Sequence, residues 1–349
     1  MPKAITVVEV FIPAWEFSMN VPTAFSSEGS LTMPARNHIR EGETCLLCSG
    51  ALEKSVGELT DTRFGIEGSY QVWRCLDCGF EQISPVPTPA ELGRLYESYY
   101  NFGGERGTTY TRLREWFFSS CLFSMWIFLD GDISFHKRKG AGRLLDAGCN
   151  EGRGLRIYAS NGFQVEGLEL NPTAADVARE SGFTVRVGDT TDFIAPAPYD
   201  VIVLSNVLEH APDPKKVLVN LRRNLKPSGQ LWISCPNSRS WLRKAFGRSW
   251  INWHVPFHIS HFSEETLHRL LTDAGFQDTQ TRQITPALWV TQSCIARLFA
   301  REGRKNSRLR NPFLTLFLML FSRFVLFPAL WLGNRLRRGD CLLVIATKA

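Results

Sequence analysis

The sequence predicts an α/β protein with a doubly wound parallel sheet, preceded by a small cysteine-rich module. Three observations support this prediction. Strand-like apolar segments alternate with helical segments from residue 140 onward, which is typical of a parallel sheet with helices on both faces. The stretch LLDAGCNEGRG, residues 144–154, is a buried-strand pattern that runs into a glycine turn and then a helix. Two Cys-x2-Cys pairs lie close together near the N-terminus.

The 349-residue chain divides into four parts. These are a leader at 1–40, the cysteine-rich module at 41–84, a linker and helical region at 85–139, and the main domain at 140–349 with a hydrophobic, basic insertion at 290–338. We expect the leader to be weakly structured. It does not resemble a signal peptide, because acidic residues and a proline interrupt its apolar run.

The helical region begins with a recognisable start signal. Thr88 is the expected N-cap, Pro89 the first helical residue and Glu91 the partner that completes a capping box. The apolar run at 116–129 is too short to cross a bilayer, so packing in a core or an interface is expected.

Seven strands are predicted in the main domain. They are RLLDAG, QVEGLEL, FTVRVGD, YDVIVLSN, QLWISCPN, FQDTQTRQITPALW and DCLLVIATK, in chain order. The stretch FSEETLHRLLTDAGF is a predicted helix, capped by Ser263 and ending at Gly275. Phe262 and Leu267 are spaced to form a hydrophobic staple at its start.

The glycine turn predicts a ligand without phosphates. A dinucleotide fingerprint needs glycines where this chain has Asn150 and Arg153, and the ending of a P-loop is missing. Glu169 closes the second strand of the main domain, where a carboxylate can accept hydrogen bonds from both hydroxyls of a ribose. Asp189 follows the third strand and can reach an adenine amino group. Together these residues predict a nucleoside site, which SNVLEH, residues 205–210, approaches from the same end of the sheet.

These motifs, in this order, resemble the class I S-adenosylmethionine-dependent methyltransferases of the methyltransferase-23 type, over about residues 140–290 and the final strand. The resemblance implies a Rossmann-like, seven-stranded, doubly wound sheet with an antiparallel last strand. It also implies that the cofactor is S-adenosylmethionine. The implied cofactor-binding residues are Asp146, Gly148, Cys149, Asn150, Gly152, Glu169, Asp189 and Asn206.

One residue departs from the family pattern. Asn150 stands where the family usually has glycine, and asparagine tolerates left-handed backbone better than other residues with a side chain. We therefore expect weaker cofactor binding at most. Each site also has a structural interpretation: the glycine turn as a strand–helix corner, Glu169 as a solvated strand end, and Asp189 as a turn former.

Cys45, Cys48, Cys75 and Cys78 form two pairs with the spacing of a tetrahedral zinc site. Four thiolates leave no open coordination position, so the expected zinc is structural and the module a zinc ribbon. The alternative is four free thiols. The stretch YQVWRCLDCGFEQISPVP resembles the zinc module that precedes some bacterial sugar methyltransferases. This cysteine usage favours a reducing, cytoplasmic location over a disulfide scaffold.

The acceptor pocket is expected in RSWINWHVPFHISHFSEE, residues 248–265. The zinc-bearing sugar methyltransferases carry His-x-x-Tyr-Phe-Ser there, and their histidine is the implied base. This chain has His258 at that position and His261 in place of the tyrosine. His258 is therefore the predicted base, with His261 and His210 as further candidates; each can equally be structural. A metal site at His254, His258 and His261 is disfavoured, because no carboxylate lies in the run before the helix.

The insertion predicts contact with a membrane surface. Residues 312–333 carry one charge, and residues 297–338 carry ten Arg/Lys against one Glu, a net charge of +9 that leaves −3 on the rest of a +6 chain. A single span would separate the two strands that flank the insertion. Arg323 and Pro328 also disfavour a straight transmembrane helix. Peripheral contact at the inner membrane surface is expected, with a dimer interface or a helical cap on the core as alternatives.

The predicted function is methyl transfer to a small-molecule acceptor, a hydroxyl or carbon of a sugar or lipid-linked intermediate. An RNA methyltransferase is the first alternative, since zinc ribbons also bind nucleic acid. The negative charge outside 297–338 makes a nucleic-acid partner the weaker prediction. A non-enzymatic protein that binds S-adenosylmethionine is the second alternative.

Overall fold

The computed structural model describes residues 44–99, 116 and 120–349, so the predicted leader lies outside the described residues. The described strands are β1 Leu52–Leu59, β2 Tyr70–Cys75, β3 Glu81–Ser84, β4 Arg143–Ala147, β5 Gln164–Glu169, β6 Val185–Val187, β7 Tyr199–Ser205, β8 Leu225–Pro236, β9 Ser260–His261, β10 Phe276–Ile284 and β11 Cys341–Lys348. The helices are α1 Pro89–Tyr99, α2 Cys121–Asp130, α3 Arg153–Ser160, α4 Pro172–Glu180, α5 Pro214–Arg223, α6 Trp241–Phe246, α7 Glu264–Asp273, α8 Ala287–Phe299, α9 Pro312–Phe324 and α10 Phe327–Arg335.

The main domain is a seven-stranded sheet in the order β10-β11-β8-β7-β4-β5-β6. Strands β4 to β8 pair in parallel, and β11 lies antiparallel between β8 and β10. The prediction of a Rossmann-like sheet with an antiparallel last strand is therefore confirmed. The order reverses between β4 and β7, and ligands of such sheets bind beyond the carboxyl ends of the strands at that point.

The sheet is covered on both faces, as the continuous apolar strand patterns require. One buried cluster joins Leu145, Ile202 and Ile233 to α5 and α7, and a second joins Leu144, Val203 and Trp232 to α8. The staple residues Phe262 and Leu267 belong to the first cluster. The capping residue Ser263 accepts a hydrogen bond from the Thr266 amide, as predicted. The Thr88–Glu91 capping box of α1 also forms.

The N-terminal module forms a second sheet, in the order β1-β2-β3-β9. Its fourth strand comes from the histidine-rich run of the main domain. Glu81 pairs with His261 and Gln82 with Ser260, and the Ile83 amide donates to the Ile259 carbonyl over 3.0 Å. The module is therefore hydrogen-bonded directly to the segment that carries the predicted acceptor pocket.

One predicted strand is too long. The segment expected to stay extended from 276 to 289 ends at Ile284, and α8 begins at Ala287. Pro286 is the N-cap of this helix and donates no amide hydrogen bond, which ends the ladder. Most of α8 is buried, with Trp289 and Ile295 inside the protein. The first part of the predicted 290–338 insertion therefore belongs to the packed domain.

The most apolar part of the insertion forms a bent helix pair, α9 and α10, with 65° between their axes. Pro328 lies in the first turn of α10, where its missing amide donor has no cost. Within the described part of the chain, no single helix is long and apolar enough to cross a bilayer, whereas this bent pair passes the same criterion when both helices are counted together.

Candidate cofactor and acceptor site

The predicted glycine turn lies at the carboxyl end of β4 and leads directly into α3. Gly148 and Gly152 have φ of 85° and 80°, in the region that glycine adopts at little cost. A Cβ on Gly148 would lie 2.6 Å from the Val207 side chain, and one on Gly152 would lie 2.7 Å from Ala178. Asn150 adopts a φ of 50°, the left-handed conformation that its side chain was expected to tolerate. The turn thus keeps its shape without the third glycine.

Glu169 is held across the turn at the carboxyl end of β5. Its Oε2 accepts a hydrogen bond from the Asn150 amide over 2.8 Å, and its Oε1 accepts one from the Asn171 amide over 2.9 Å. Burial raises the pKa of Glu169, and these two amide donors partly offset the rise. The carboxylate is therefore fixed in direction, as a residue that recognises two adjacent hydroxyls must be.

Four further predicted residues lie at or near the same strand ends. Asp146 is buried, and its burial together with the nearby charge of Glu169 raises its pKa to about 7. Asn206, at the end of β7, has a φ of 53°, and its Oδ1 has no hydrogen-bond partner among the described residues. Asp189 Oδ1 accepts from the Thr191 amide, so it forms a turn, and its contact with adenine stays a prediction. Cys149 is buried against Gly167.

This arrangement fits S-adenosylmethionine. The turn presents backbone without side chains, Glu169 is aimed by two amides, and Asn206 has an unpaired buried acceptor. Buried acceptors without partners are rare in folded proteins, which points to a ligand donor here.

The second half of the site begins immediately after Asn206. Val207 packs on the glycine turn, and Glu209 and His210 follow in a short 3-10 helix. The Glu209 carbonyl accepts a hydrogen bond from the Ile259 amide over 2.9 Å, which brings the histidine-rich loop against this segment. The cofactor turn and the predicted acceptor pocket are therefore neighbours.

His258 has a defined tautomer. Its Nδ1 lies 2.8 Å from the Asn252 carbonyl oxygen. Because a carbonyl oxygen only accepts hydrogen bonds, Nδ1 carries the proton and Nε2 presents a lone pair. Burial lowers the pKa of His258 well below its usual value, and the nearby His210 and His261 lower it further. The ring is thus neutral and able to accept a proton at Nε2.

His210 and Glu209 complete a buried cluster with His258. The His210 ring lies edge-on to His258 with 4.6 Å between centroids, and its Nδ1 is 2.9 Å from the Tyr96 hydroxyl of α1. Burial lowers the pKa of His210 to about 4 and raises the pKa of Glu209 to about 8. Neither carboxyl oxygen of Glu209 has a hydrogen-bond partner among the described residues.

His261 and His254 have other surroundings. His261 belongs to β9, its ring packs edge-on against Trp253, and burial lowers its pKa to about 3. His254 stacks on Phe257 and contacts the rings of His210 and His258. The structure thus places His258 and His210 together with a carboxylate and gives His261 a place in the inter-module sheet.

Sequence reasoning missed three residues of this site. Glu209 lies within the SNVLEH motif, which gives it no role of its own, and Tyr96 lies on α1, outside the matched motifs. Asp340 is buried and accepts hydrogen bonds from Ser240, from Trp250 Nε1 over 2.8 Å and from Asn252 Nδ2 over 3.1 Å. It thereby fixes the residue whose carbonyl orients His258. A polar Asp in front of the last apolar strand was the available signal for Asp340.

Two groups of side chains can hold a metal ion. The four predicted cysteines converge, with Sγ–Sγ distances of 3.5 Å for Cys45–Cys78 and 3.4 Å for Cys48–Cys75. The sulfurs of tetrahedral zinc lie about 3.8 Å apart, given a Zn–S distance of about 2.3 Å. Glu209, His210 and His258 also offer one ligand atom each within 4.8 Å of one another. This second set differs from the disfavoured site of His254, His258 and His261. It includes a carboxylate, that of Glu209, which comes from another segment of the chain.

A comparison with known proteins finds a family match for part of the main domain. Residues 132–281 match the family model described as a methyltransferase domain. The ubiquinone biosynthesis O-methyltransferase of Klebsiella pneumoniae is 35% identical over 124 residues, covering 33% of this chain and 51% of that protein. The enzyme of the same name from Xylella fastidiosa is 38% identical over 103 residues, covering 27% and 42%.

The chain thus spans about half the length of the curated relatives it matches, or less. Among solved structures, a SAM-dependent methyltransferase from Archaeoglobus fulgidus is 21% identical, covering 60% of this chain and 87% of that one, with a TM-score of 0.40. Residues 132–281 of this chain thus match a methyltransferase domain, and they include the parallel strands β4 to β8.

The raised pKa of Glu209 predicts a pH-dependent stability. In the folded chain this carboxyl keeps its proton up to about pH 8, whereas in the unfolded chain it ionises near its usual value of 4.5. The contribution of this protonated carboxyl to the free energy of unfolding is therefore fully present below pH 4.5 and is lost as the pH rises toward 8. Between pH 5 and 8 the wild type should lose more free energy of unfolding than Glu209→Gln, by up to about 1.4 kcal/mol per pH unit.

Urea denaturation of both proteins across this range measures the difference. Buried histidines act in the opposite direction, but they are present in both proteins and cancel in the comparison. Parallel stability–pH curves for the wild type and Glu209→Gln would contradict the raised pKa of Glu209.

Proposed function

We propose that the protein methylates a hydroxyl of a small-molecule acceptor with S-adenosylmethionine as the methyl donor, and that His258 accepts the acceptor's proton. The observation that carries the proposal is the orientation of His258. Its Nδ1 is engaged by the Asn252 carbonyl, which leaves Nε2 as a proton acceptor next to the segment that packs on the glycine turn.

The comparisons support an oxygen acceptor. The relatives from Klebsiella pneumoniae and Xylella fastidiosa are both named as O-methyltransferases of ubiquinone biosynthesis. The two matches cover 33% and 27% of this chain, so the acceptor of those proteins does not transfer to it directly. A sugar hydroxyl, free or on a lipid-linked intermediate, is our proposed acceptor class.

The residues on the cofactor side of the site would bind S-adenosylmethionine and orient it. S-adenosylmethionine, when bound, supplies a methyl group on a positively charged sulfur. Glu169 would hold the ribose hydroxyls, Asn206 would accept a hydrogen bond, and the turn from Gly148 to Gly152 would lie along the ligand. Such positioning accounts for much of the rate in a displacement between two held groups.

The residues on the acceptor side of the site would accept the proton of the acceptor hydroxyl. An acceptor hydroxyl that hydrogen-bonds to His258 Nε2 would transfer its proton there. Because burial disfavours a charged imidazole, the protonated ring needs a negative charge beside it, and Glu209, which has a carboxyl oxygen within 4.8 Å, would supply that charge once it ionises above about pH 8. His210, held by Tyr96, keeps the ring of His258 in place. His258 and Glu209 are buried, which limits the access of water to these two side chains.

A substitution at His258 tests the proposal. With an acceptor found by screening sugars and lipid-linked sugars, His258→Gln should lower kcat at least about a hundredfold, the usual contribution of a general base. The affinity for S-adenosylmethionine should stay within about twofold of the wild type. His268→Gln, on a partly exposed face of α7, is the matched control and should retain activity.

Three results would overturn the proposal. One is a His258→Gln protein with wild-type kcat, and another is an equal loss in His268→Gln. The third is cofactor binding without turnover on any acceptor, which would favour a non-enzymatic binding protein.

We also propose that the four clustered cysteines hold one structural zinc ion. The sulfurs lie close to tetrahedral spacing, and backbone amides of Leu47 and Cys78 approach two of them over 3.4 Å and 3.5 Å. Amide donors of this kind stabilise thiolates. No water position is left when four cysteines bind, so the ion would stabilise the module and take no part in methyl transfer.

Metal analysis of the purified protein checks the zinc proposal. The wild type should carry one zinc per chain, Cys48→Ser should lose most of it, and Cys294→Ser, outside the cluster, should retain it. Zinc-free wild-type protein would contradict the proposal. A second metal equivalent that disappears in Glu209→Gln would instead place a cation at Glu209, His210 and His258.

A further inference from the structure

We infer that the outer face of the α9–α10 pair is a docking surface for an anionic lipid bilayer. The inference is independent of the proposed methyl transfer, because it rests on how these two helices meet the rest of the domain. The surface consists of exposed apolar side chains on both helices and is flanked by basic residues. Its apolar members are Phe313, Phe317, Leu320, Phe321, Phe324, Phe327, Trp331 and Leu332.

Helix α9 exposes large apolar side chains that a surface helix in water would bury. Phe313, Phe317 and Phe324 recur on one stripe of the helix and are exposed to 58%, 66% and 76%. The opposite stripe, which is buried against the domain, contains the polar Thr315 and Ser322 together with Met319. A helix packed on a soluble core normally buries its apolar stripe and exposes its polar one. The exposed apolar stripe therefore indicates a non-aqueous neighbour.

The single charge within residues 312–333, Arg323, does not face this neighbour. Arg323 donates to Asp130 of α2 and to the Thr285 carbonyl, and the side chains of both Arg323 and Asp130 are less than one-tenth exposed. In the sequence this arginine lies near the centre of the apolar segment, where it disfavours a straight transmembrane helix. The ion pair turns it inward, so the outer face carries no charge between its two ends.

The ends of the surface carry the charge that an anionic surface attracts. Arg301, Arg304, Lys305 and Arg308 precede α9 in the chain and are exposed. Arg335 ends α10, and Arg337, which pairs with Glu264, and Arg338 follow it. Arg335 stacks on Trp331, with 5.2 Å from its guanidinium to the ring centroid. Apolar residues bordered by basic ones are the pattern of interfacial helices on anionic membranes.

The flanking strands exclude a single crossing of the bilayer. The chain enters the pair after β10 and leaves it into β11, and these two strands are hydrogen-bonded neighbours over most of their length. Both ends of the pair are therefore on the same side of any membrane. With the 65° bend and the Asp130–Arg323 anchor, the pair is held against the domain with its outer face available.

Vesicle binding by the full-length protein tests the inference. Co-flotation should be strong with phosphatidylcholine vesicles that contain phosphatidylglycerol, weak with phosphatidylcholine alone, and reduced by salt. The triple substitution Phe313→Ser, Phe317→Ser and Phe324→Ser should abolish it. Substituting Arg301, Arg304 and Arg308 by Gln should weaken it on the order of a hundredfold. Ile194→Ser, which removes an exposed apolar side chain elsewhere, should leave it unchanged.

Circular dichroism and thermal unfolding show whether each variant is folded, and these surface positions should leave both unchanged. Equal flotation of the wild type and the phenylalanine variant would overturn the inference. So would a wild type that ignores vesicles but forms a dimer that the phenylalanine variant lacks, since the surface would then bind a second copy of the chain.

Discussion

The backbone pairing between β3 and β9 is the constraint on which the functional site depends. Ser260 and His261 of the main domain pair with β3, and the Ile259 carbonyl accepts from the Ile83 amide, so these contacts fix the loop that carries His258 from one side. The Ile259 amide fixes the same loop from the other side through the Glu209 carbonyl. The cysteine cluster is therefore more than an appended module, because a loss of its fold would release the acceptor side of the site.

A second constraint reaches the same histidine through buried polar contacts. Asp340, in front of the last strand, binds Asn252, and the Asn252 carbonyl holds His258 Nδ1. Burial raises the pKa of Asp340 to about 7, which is the cost of placing a carboxyl among three donors inside the protein. Both sheets thus contribute to the orientation of one imidazole, and Val207, two residues before Glu209, packs on the glycine turn.

Much of the cofactor half could be predicted from the sequence, because its signals are local. A strand, a turn with defined glycine positions and a carboxylate at the next strand end lie within 26 residues, and even the left-handed Asn150 followed from its side-chain chemistry. The acceptor half depends on contacts between distant segments. A two-residue strand such as β9 has no periodicity, and Glu209 gave no sign that His258, 49 residues later, would lie beside it. Likewise, sequence showed the charge of Arg323 but not its partner Asp130.

Calorimetric titration with S-adenosylmethionine and S-adenosylhomocysteine tests the central claim most directly. The wild type should bind both ligands with micromolar affinity, and Glu169→Ala should abolish binding because it removes the carboxylate that the Asn150 and Asn171 amides aim. Glu53→Ala, an exposed acid of the N-terminal module, should bind like the wild type. A wild type that binds neither ligand would contradict the account, as would a Glu169→Ala protein with unchanged affinity.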